Sequence, residues 1–202
     1  MLDVLEVYER PYDPARPVVC IDEKLKQLIH HTKPPLPPAQ GKPQRVDYEY
    51  ERNGTCNLFV AIEPKGRKRC VRVTRRRTKK DYCSFMQFLV NHAYKKAKKI
   101  VIVEDNLNTH GSEVLREILG EKEGAKVGRK IAWHFTPIHA SWLNQAELEI
   151  HALEQQCLNR RIPDFQTMQS EVAACVRRRN KNKVGIDWQF TREKAKEKFK
   201  LD

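Results

Sequence analysis

Two short, continuous runs of apolar residues stand out in this chain, and each leads directly into acidic residues. Residues 18–21 precede Asp22, and residues 100–103 precede Glu104 and Asp105. Apolar runs of this length predict strands that are covered on both faces. An acid at the carboxyl end of such a strand lies at the rim of the sheet, where open α/β folds bind ligands. We therefore expect Asp22 and Asp105 to lie close together.

Alternating and helical apolar patterns fill the rest of the chain. Antiparallel strands are predicted at 48–52, 57–62 and 69–74, with turns at Asn53-Gly54 and Lys65-Gly66. Helices are predicted at 81–98, 112–121, 142–160 and from 164 onward, with a glycine-containing charged loop at 121–130 and a strand at 131–135. This order predicts an α/β domain with a mixed five-stranded sheet flanked by helices, which is the order of the ribonuclease-H-like fold.

Proline positions suggest where the domain begins and ends. Residues 1–17 are expected to form a short helix and a linker, 18–182 the α/β domain, and 183–202 a basic tail with a short helix. The proline-rich segment 34–43 predicts a stiff, exposed loop, which serves either as a spacer or as a docking arm. A chain that starts just before its first core strand is expected to be the downstream part of a longer protein.

A third acid is expected from the helix at 142–160. Glu147 and Glu149 lie on opposite flanks of its apolar stripe, each about 80° from the centre. Glu154 lies on the same flank as Glu147. Helical periodicity therefore leaves these glutamates open as candidates. Carboxylates from two strands and a helix favour divalent cations and two-metal phosphoryl-transfer chemistry.

The charge balance points to a polyanionic partner. The 202 residues include 39 Lys and Arg against 26 Asp and Glu, a formal charge of +13. Nucleic acid is the favoured partner of so basic a chain. Runs of basic residues predict phosphate tracking without base readout. One of these runs is Arg75, Arg76 and Arg77.

The cysteines and the N-terminus point to the cytoplasm. None of the six cysteines has CxxC spacing, so we expect reduced thiols rather than zinc ligands or disulfides. The N-terminus lacks the apolar core of a signal peptide, and no run approaches membrane-spanning length.

Several polar residues near the acids are candidates for contacts with DNA. His110 follows Asp105 by five positions and is able to touch phosphate or orient the cleaved strand. Asn106 and Asn144 either bind DNA or fix the loops around the acids. His139 is a further candidate, whereas Trp142, three residues later, is expected to pack.

The segments around these acids closely resemble the catalytic region of DDE transposases, in the bacterial insertion-sequence branch of the mariner-like superfamily. The resemblance runs from about residue 15 to the C-terminus. Its most specific part is the last segment, His-Phe-Thr-Pro at 134–137 running on through His-Ala-Ser-Trp-Leu-Asn-Gln-Ala-Glu at 139–147. The other matching segments are Cys-Ile-Asp-Glu-Lys at 20–24, Gly-Thr-Cys-Asn-Leu-Phe at 54–59 and Glu-Asp-Asn-Leu-Asn-Thr-His at 104–110.

The resemblance implies a ribonuclease-H-like fold and DNA cleavage followed by strand transfer. By position, Asp22, Asp105 and Glu147 match the three acids of a DDE triad that depends on Mg²⁺, with Mn²⁺ as a substitute. Glu147 is distinguished from Glu149 because it ends the Leu-Asn-x-x-Glu segment. The family also implies double-stranded DNA as partner and a homodimer on that DNA.

The chain departs from the family pattern at three places. Glu104 stands where the family usually has an apolar residue, the gap between the second and third acids is long, and we expect the upstream helix-turn-helix modules of the family to be missing. The alternative function is a catalytically idle DNA-binding or regulatory remnant of a transposase. A structure-specific nuclease of the same fold is a third candidate, disfavoured by the Leu-Asn-x-x-Glu segment.

Overall fold

A mixed five-stranded sheet organises the protein. The computed structural model describes residues 1–107 and 109–201; Asn108, within one of the matching segments, and Asp202 lie outside the described residues. The strand order is β3-β2-β1-β4-β5, with β1–β3 antiparallel and β1, β4 and β5 parallel. This confirms the α/β fold class. The strands are β1 (Val18–His31), β2 (Tyr50–Glu63), β3 (Lys68–Thr74), β4 (Ile100–Glu104) and β5 (Ile131–Phe135).

Helices cover both faces of the sheet. Two π-helical segments, Leu89–Ala93 and Glu154–Leu158, continue α2 and α5, and a short 3₁₀ turn, Ser141–Leu143, precedes α5. The α-helices of the described residues are α1 (Leu2–Glu9), α2 (Lys79–Phe88), α3 (Ser112–Leu119), α4 (Glu121–Arg129), α5 (Ala146–Leu153), α6 (Phe165–Lys181) and α7 (Arg192–Phe199).

The apolar core lies on both sides of the sheet, as the continuous runs predicted. On one face, Ile21 and Ile102 pack among side chains of α2, α3 and α4. On the other face, Cys20 and Val103 pack against α1 and the start of α5. A third cluster joins β2 to α5 and α6. The start of α5 therefore lies above the face from which Cys20 projects.

The first strand is longer than its apolar run, so the prediction that it ends at Asp22 is wrong. β1 continues to His31 and stays paired with β2 as far as Tyr50. Residues 23–31 are mostly polar because this part of the strand no longer has β4 beside it and is only partly buried. Asp22 therefore lies inside a strand, at the point where its parallel neighbour stops.

The Asn53-Gly54 pair is not a hairpin turn, and the two strands predicted around it are one strand. The pairing of β2 with β1 shifts by one residue between Gln27 and Ile29, which is a β-bulge. Gly54 has φ of 80°, a backbone conformation that glycine adopts without strain. The second predicted turn, at Lys65-Gly66, does connect β2 with β3.

The segment 121–130 forms helix α4 rather than a loop. Its glycines allow close packing, because a Cβ at Gly124 would come within 2.6 Å of the Arg116 Cα atom of α3. Gly124 therefore allows α4 to pack closely against α3 and does not interrupt α4.

Both ends of the chain pack on the same face of the sheet. Val4 and Leu5 of α1 and Ala195 of α7 belong to the cluster that contains Cys20. The division into linker, domain and tail at residues 17 and 182 remains a prediction.

The six cysteines are free thiols, as expected. No helix among the described residues is long and apolar enough to cross a membrane.

Candidate active site

Asp22 lies in β1, and Asp105 directly follows the end of β4, the neighbouring parallel strand. The ladder between β1 and β4 pairs Cys20 with Val103, and each aspartate is two residues further along the chain. Residues two apart in a strand share a face, so Asp22 lies on the face of Cys20. Adjacent strands are about 4.8 Å apart, and β4 ends at Glu104. The two acids therefore meet at the rim of the parallel part of the sheet.

Asn144 attaches the beginning of α5 to the strand that carries Asp22. Its side-chain amide donates a 2.7 Å hydrogen bond to the backbone carbonyl of Ile21, and its side-chain oxygen accepts a 3.1 Å bond from the amide of Ala146. Glu147 is the next residue and lies in the first turn of α5. The third candidate acid is thereby held close to the first two.

The electrostatics of Asp22 show that the three acids share one environment. Burial raises the pKa of the Asp22 carboxyl to about 6. A 2.7 Å hydrogen bond from the backbone amide of Glu23 acts in the opposite direction and lowers this pKa. The negative charges of Asp105 and Glu147 raise this pKa further. A buried carboxylate that feels two other carboxylates is unfavourable unless a cation or a proton neutralises it.

The donor chemistry of this site fits a hard divalent cation. No three His, Cys, Asp or Glu side chains within the described parts of the chain are arranged to hold one ion together. Mg²⁺ does not require such a cage, because it keeps several waters and binds through one or two carboxylates together with substrate phosphates. Asp22 and Asp105, with Glu147 nearby, supply oxygen ligands of this kind.

Neutralising Asp22 is expected to stabilise the metal-free protein. The folded-state pKa of about 6 lies above the unfolded value of about 3.9, so the folded state binds a proton more tightly and loses stability as the pH rises between these values. Asp22→Asn should therefore raise the free energy of unfolding by about 1–3 kcal/mol at pH 7.5.

The gain from Asp22→Asn should disappear below about pH 4. Urea denaturation in the presence of EDTA at both pH values measures it, with Asp187→Asn, at an exposed aspartate, as the control. A variant that is less stable than the wild type at pH 7.5 would contradict the expectation.

Glu149 points into the protein, away from the other acids. Its carboxylate accepts two hydrogen bonds from Arg179, at 2.9 and 2.8 Å, and lies 2.9 Å from Nε of Arg69. If Glu147 is the metal ligand, helical geometry directs Glu149 away from the acids, toward solvent or a basic side chain. The structure places it against two basic side chains, in the interior.

Glu154 is engaged by two lysines that the sequence analysis did not single out. Lys26 donates to it at 2.9 Å, and Lys24 lies 3.8 Å from its other oxygen. Both lysines follow Asp22 along β1 at intervals of two residues and thus share its face. This spacing of two residues is the sequence feature from which the two lysines could have been predicted to lie beside the acids. A basic strip therefore continues from the acids along β1.

His110 lies beneath the acids and not on the surface. Its Nδ1 donates to the backbone carbonyl of Asp105 at 3.0 Å, its Nε2 lies 3.2 Å from a carboxylate oxygen of Glu23, and its ring stacks on Tyr82. Burial lowers the pKa of His110, but the hydrogen bonds to Asp105 and Glu23 outweigh it and raise this pKa above its usual value. A buried imidazolium supports Asp105 better than it contacts phosphate.

Glu104, the unusual residue before Asp105, is buried on the opposite face of β4. Its carboxylate accepts hydrogen bonds from the hydroxyl of Tyr82 at 3.0 and 3.1 Å, and burial raises its pKa to about 7. Nδ1 of His110 lies 3.8 Å from a carboxylate oxygen of Glu104. The acid is thus accommodated by two specific partners, which sequence reasoning did not identify.

One residue of the Arg75–Arg77 run reaches the rim of the site. The Arg77 guanidinium lies 3.5 Å from the Glu23 carboxylate and is 56% exposed. Arg75 packs over the ring of Phe165, 4.5 Å from its centroid, and Arg76 is exposed. Arg77 is therefore the member of this run that the fold brings next to Glu23, the residue after Asp22.

The remaining candidates for DNA contact differ in accessibility. Asn106 and His139 are exposed, and His139 has a positive φ of 62° in the loop before α5. Asn144 is buried with both ends of its amide group in use, which favours the alternative that it fixes the loop. Trp142 packs edge-on against Phe190, in agreement with the packing role expected for it.

Two solved structures share this fold. The chain aligns with the Mos1 transposase paired-end complex with left transposon end at a TM-score of 0.56 and 13% identity, over 91% of this chain and 56% of that one. It aligns with the Mos1 strand transfer complex at a TM-score of 0.53 and 12% identity, over 93% of this chain and 60% of that one. The chain thus spans somewhat more than half of these proteins, and the likeness shows the ribonuclease-H-like fold.

A comparison with known families identifies the family to which the chain belongs. No curated protein matches the chain. The DDE superfamily endonuclease family, however, matches residues 17–169, a range that contains Asp22, Asp105 and the first turn of α5. The chain belongs to the DDE superfamily endonucleases.

Proposed function

We propose that this protein is the catalytic domain of a transposase, which cleaves DNA and transfers the cut strand with the help of divalent metal ions. The observation that carries the proposal is the meeting of Asp22 and Asp105 on adjacent parallel strands, with Glu147 close enough to raise the pKa of Asp22. Membership of the DDE endonuclease family supports it. Two solved structures that share the fold are transposase complexes, one with a transposon end and one of strand transfer.

Each acid has a role in this proposal. Asp22, Asp105 and Glu147 would hold Mg²⁺, or Mn²⁺ in its place. When bound, such ions activate a water or hydroxyl nucleophile and stabilise the leaving oxygen of a phosphodiester. Asn144 positions the start of α5 relative to β1, and His110 fixes the backbone and the side chain of Asp105. Lys24, Lys26 and Arg77 neutralise phosphates next to the acids.

Asp105→Asn tests the proposed function directly. The wild-type chain with Mg²⁺ or Mn²⁺ should nick or join a duplex carrying the ends of its own element, and Asp105→Asn should be inactive. The amide of asparagine is an uncharged and poorer ligand for a hard cation. Conversion of supercoiled plasmid to nicked circles and formation of joined products on gels measure the two steps. A wild-type chain that binds DNA but never cuts it would instead be an idle remnant.

DNA binding by this domain is expected to depend on salt and only weakly on sequence. The net charge of +13 and the basic strip on β1 favour contacts to phosphate, which release counterions. Arg77→Ala removes one phosphate contact, so the plot of the logarithm of the DNA-binding constant against log salt should become less steep by about 1. Fluorescence anisotropy with two unrelated duplexes measures both properties.

A lysine elsewhere on the surface provides the control for the binding experiment. Lys122 lies on α4, which packs against α3 and β5. Lys122→Ala should leave the slope unchanged. Strong preference for one short duplex at physiological salt would contradict the proposal and indicate a base-reading element.

The assembly and the location of the protein are part of the same proposal. We expect a homodimer on DNA, with the exposed segment 32–49 reaching the partner subunit. This segment carries Leu36 and Tyr48 as exposed apolar side chains and forms a small antiparallel bridge between Leu36 and Arg45. We also expect the cytoplasm as its location and a bacterial insertion sequence as its origin.

A further inference from the structure

A buried cluster of one acid and two arginines joins α5 to the rest of the protein. We name it the Glu149 cluster; it consists of Glu149 of α5, Arg69 of β3 and Arg179 of α6. The Glu149 and Arg69 side chains are fully buried, and Arg179 is 7% exposed. Arg179 binds the carboxylate with two hydrogen bonds, at 2.9 and 2.8 Å, and Arg69 lies 2.9 Å from one of the same oxygens.

Arg69 is itself fixed against α6 and the segment that follows it. Asn180, the neighbour of Arg179 on α6, accepts bonds at 2.9 and 3.1 Å from the backbone amide and the guanidinium of Arg69. The Asn180 amide donates at 2.9 Å to the Arg69 carbonyl, and the Arg69 guanidinium also donates to the carbonyl of Val184. β3 and α6 thus form a rigid receptor for the Glu149 carboxylate.

Helix α5 packs its apolar residues Ala146 and Leu153 into the core, and a polar anchor adds a directional contact that fixes the rotation of the helix about its axis. It has only eight residues, lacks a side-chain N-cap and passes directly into a π-helical turn. Its first attachment is the bond from Asn144 to Ile21. Glu149 supplies a second attachment, about 160° around the helix from Glu147. With Glu149 drawn to one side, Glu147 is directed to the other.

We propose that Arg69 and Arg179 are positioning residues for the reaction, which act through Glu149 by holding α5 in the rotation that presents Glu147 to Asp22 and Asp105. This inference rests on the proposed function, in which Glu147 is a metal ligand. Both arginines are buried, so we assign neither of them a contact with metal or DNA. The cluster lies on the opposite side of α5 from the acids and acts through the helix.

The chemistry of the cluster favours such a role over one in stability. Desolvation of buried charges offsets much of their attraction, so well-packed apolar replacements of a whole buried ion cluster are often equally or more stable. Apolar replacements lack directionality. The two hydrogen bonds between a guanidinium and a carboxylate, in contrast, form in only one relative orientation of the two groups. Stability and function should therefore respond differently when the entire cluster is replaced.

The test replaces all three residues and measures Mn²⁺ binding as well as activity. In the triple variant Arg69→Met, Glu149→Leu, Arg179→Met, we expect a melting temperature at or above that of the wild type. We expect Mn²⁺ affinity, measured by electron paramagnetic resonance without DNA, to fall about 10-fold or more. The double variant Arg160→Met, Glu171→Leu removes an exposed pair of 2.6 Å and serves as the control with unchanged affinity.

A second comparison shows whether the cluster acts through Glu147. Glu147→Gln should weaken Mn²⁺ binding in the wild type but add little in the triple variant, because residues that act as a unit are not additive. If the triple variant does not fold, Glu149→Asp retains the charge and shortens the link by one methylene, and it should give the same pattern. A folded variant with wild-type Mn²⁺ affinity, or full additivity with Glu147→Gln, would overturn the inference.

Failure of the proposed function would give a different result. In that case the wild type and Asp105→Asn would bind Mn²⁺ equally, and the inference would be overturned together with the metal site. If the wild type binds Mn²⁺ more tightly than Asp105→Asn while the triple variant matches the wild type, the metal site stands and only the positioning role is overturned.

Discussion

Replacing Glu147 with glutamine is expected to reduce DNA nicking about 10³-fold, with little change in folding or in DNA binding. The substitution keeps the volume of the side chain and removes one charge from a group that lies near Asp22. Losing a carboxylate ligand removes several kcal/mol of stabilisation of the transition state, and each 1.4 kcal/mol corresponds to about a factor of 10 in rate. Single-turnover nicking with Mn²⁺ and a thermal melt of the same preparation measure the two effects.

Glu154→Gln is the matched control for this experiment. Glu154 lies one heptad after Glu147 on the same flank, but its carboxylate is paired with Lys24 and Lys26. We therefore expect its replacement to change the nicking rate by less than about 10-fold. If Glu154→Gln inactivates the protein while Glu147→Gln does not, Glu154 is the third acid and the match to the Leu-Asn-x-x-Glu segment is misplaced.

The meeting of the two aspartates was predictable because strands buried on both faces leave a clear local pattern. The apolar runs before Asp22 and Asp105 identified two neighbouring strands of the sheet, and an acid after such a run marks its rim. The outer half of β1 was missed for the opposite reason. Beyond Asp22 it has lost β4 as a neighbour, so its residues are mostly polar and carry no such pattern.

The orientation of α5 was not predictable from local pattern. Helical periodicity treats Glu147 and Glu149 alike, and only the family segment favoured Glu147. In the structure the two residues differ completely, because Glu149 meets Arg69 and Arg179, which come from distant parts of the chain. Long-range ion pairs leave no periodic signal. The same holds for His110, which looks like a free loop residue in sequence but is enclosed by Glu23, Glu104 and Tyr82.

Glu149→Gln is expected to destabilise the fold by about 3–5 kcal/mol, because it leaves two buried arginines without their anion. In a protein of this size this corresponds to a fall in melting temperature of roughly 6–20 °C. From the sequence alone, Glu149→Gln is expected to leave cleavage largely intact. Because Glu149 is 1% exposed and paired with two arginines, the variant is unsuitable as a control for Glu147→Gln.

The control for stability is Glu171→Gln, which removes the carboxylate of an exposed ion pair with Arg160. Exposed pairs contribute about 0–1 kcal/mol, so this variant should melt within a few degrees of the wild type. If Glu149→Gln also melts within a few degrees of the wild type, the expectation is wrong, because the two arginines then tolerate the loss of the Glu149 charge. If it unfolds as expected, its loss of nicking has a cause separate from that of Glu147→Gln, which should remain fully folded. The two glutamates, two residues apart on one short helix, would then be separated experimentally into a reacting group and an anchor.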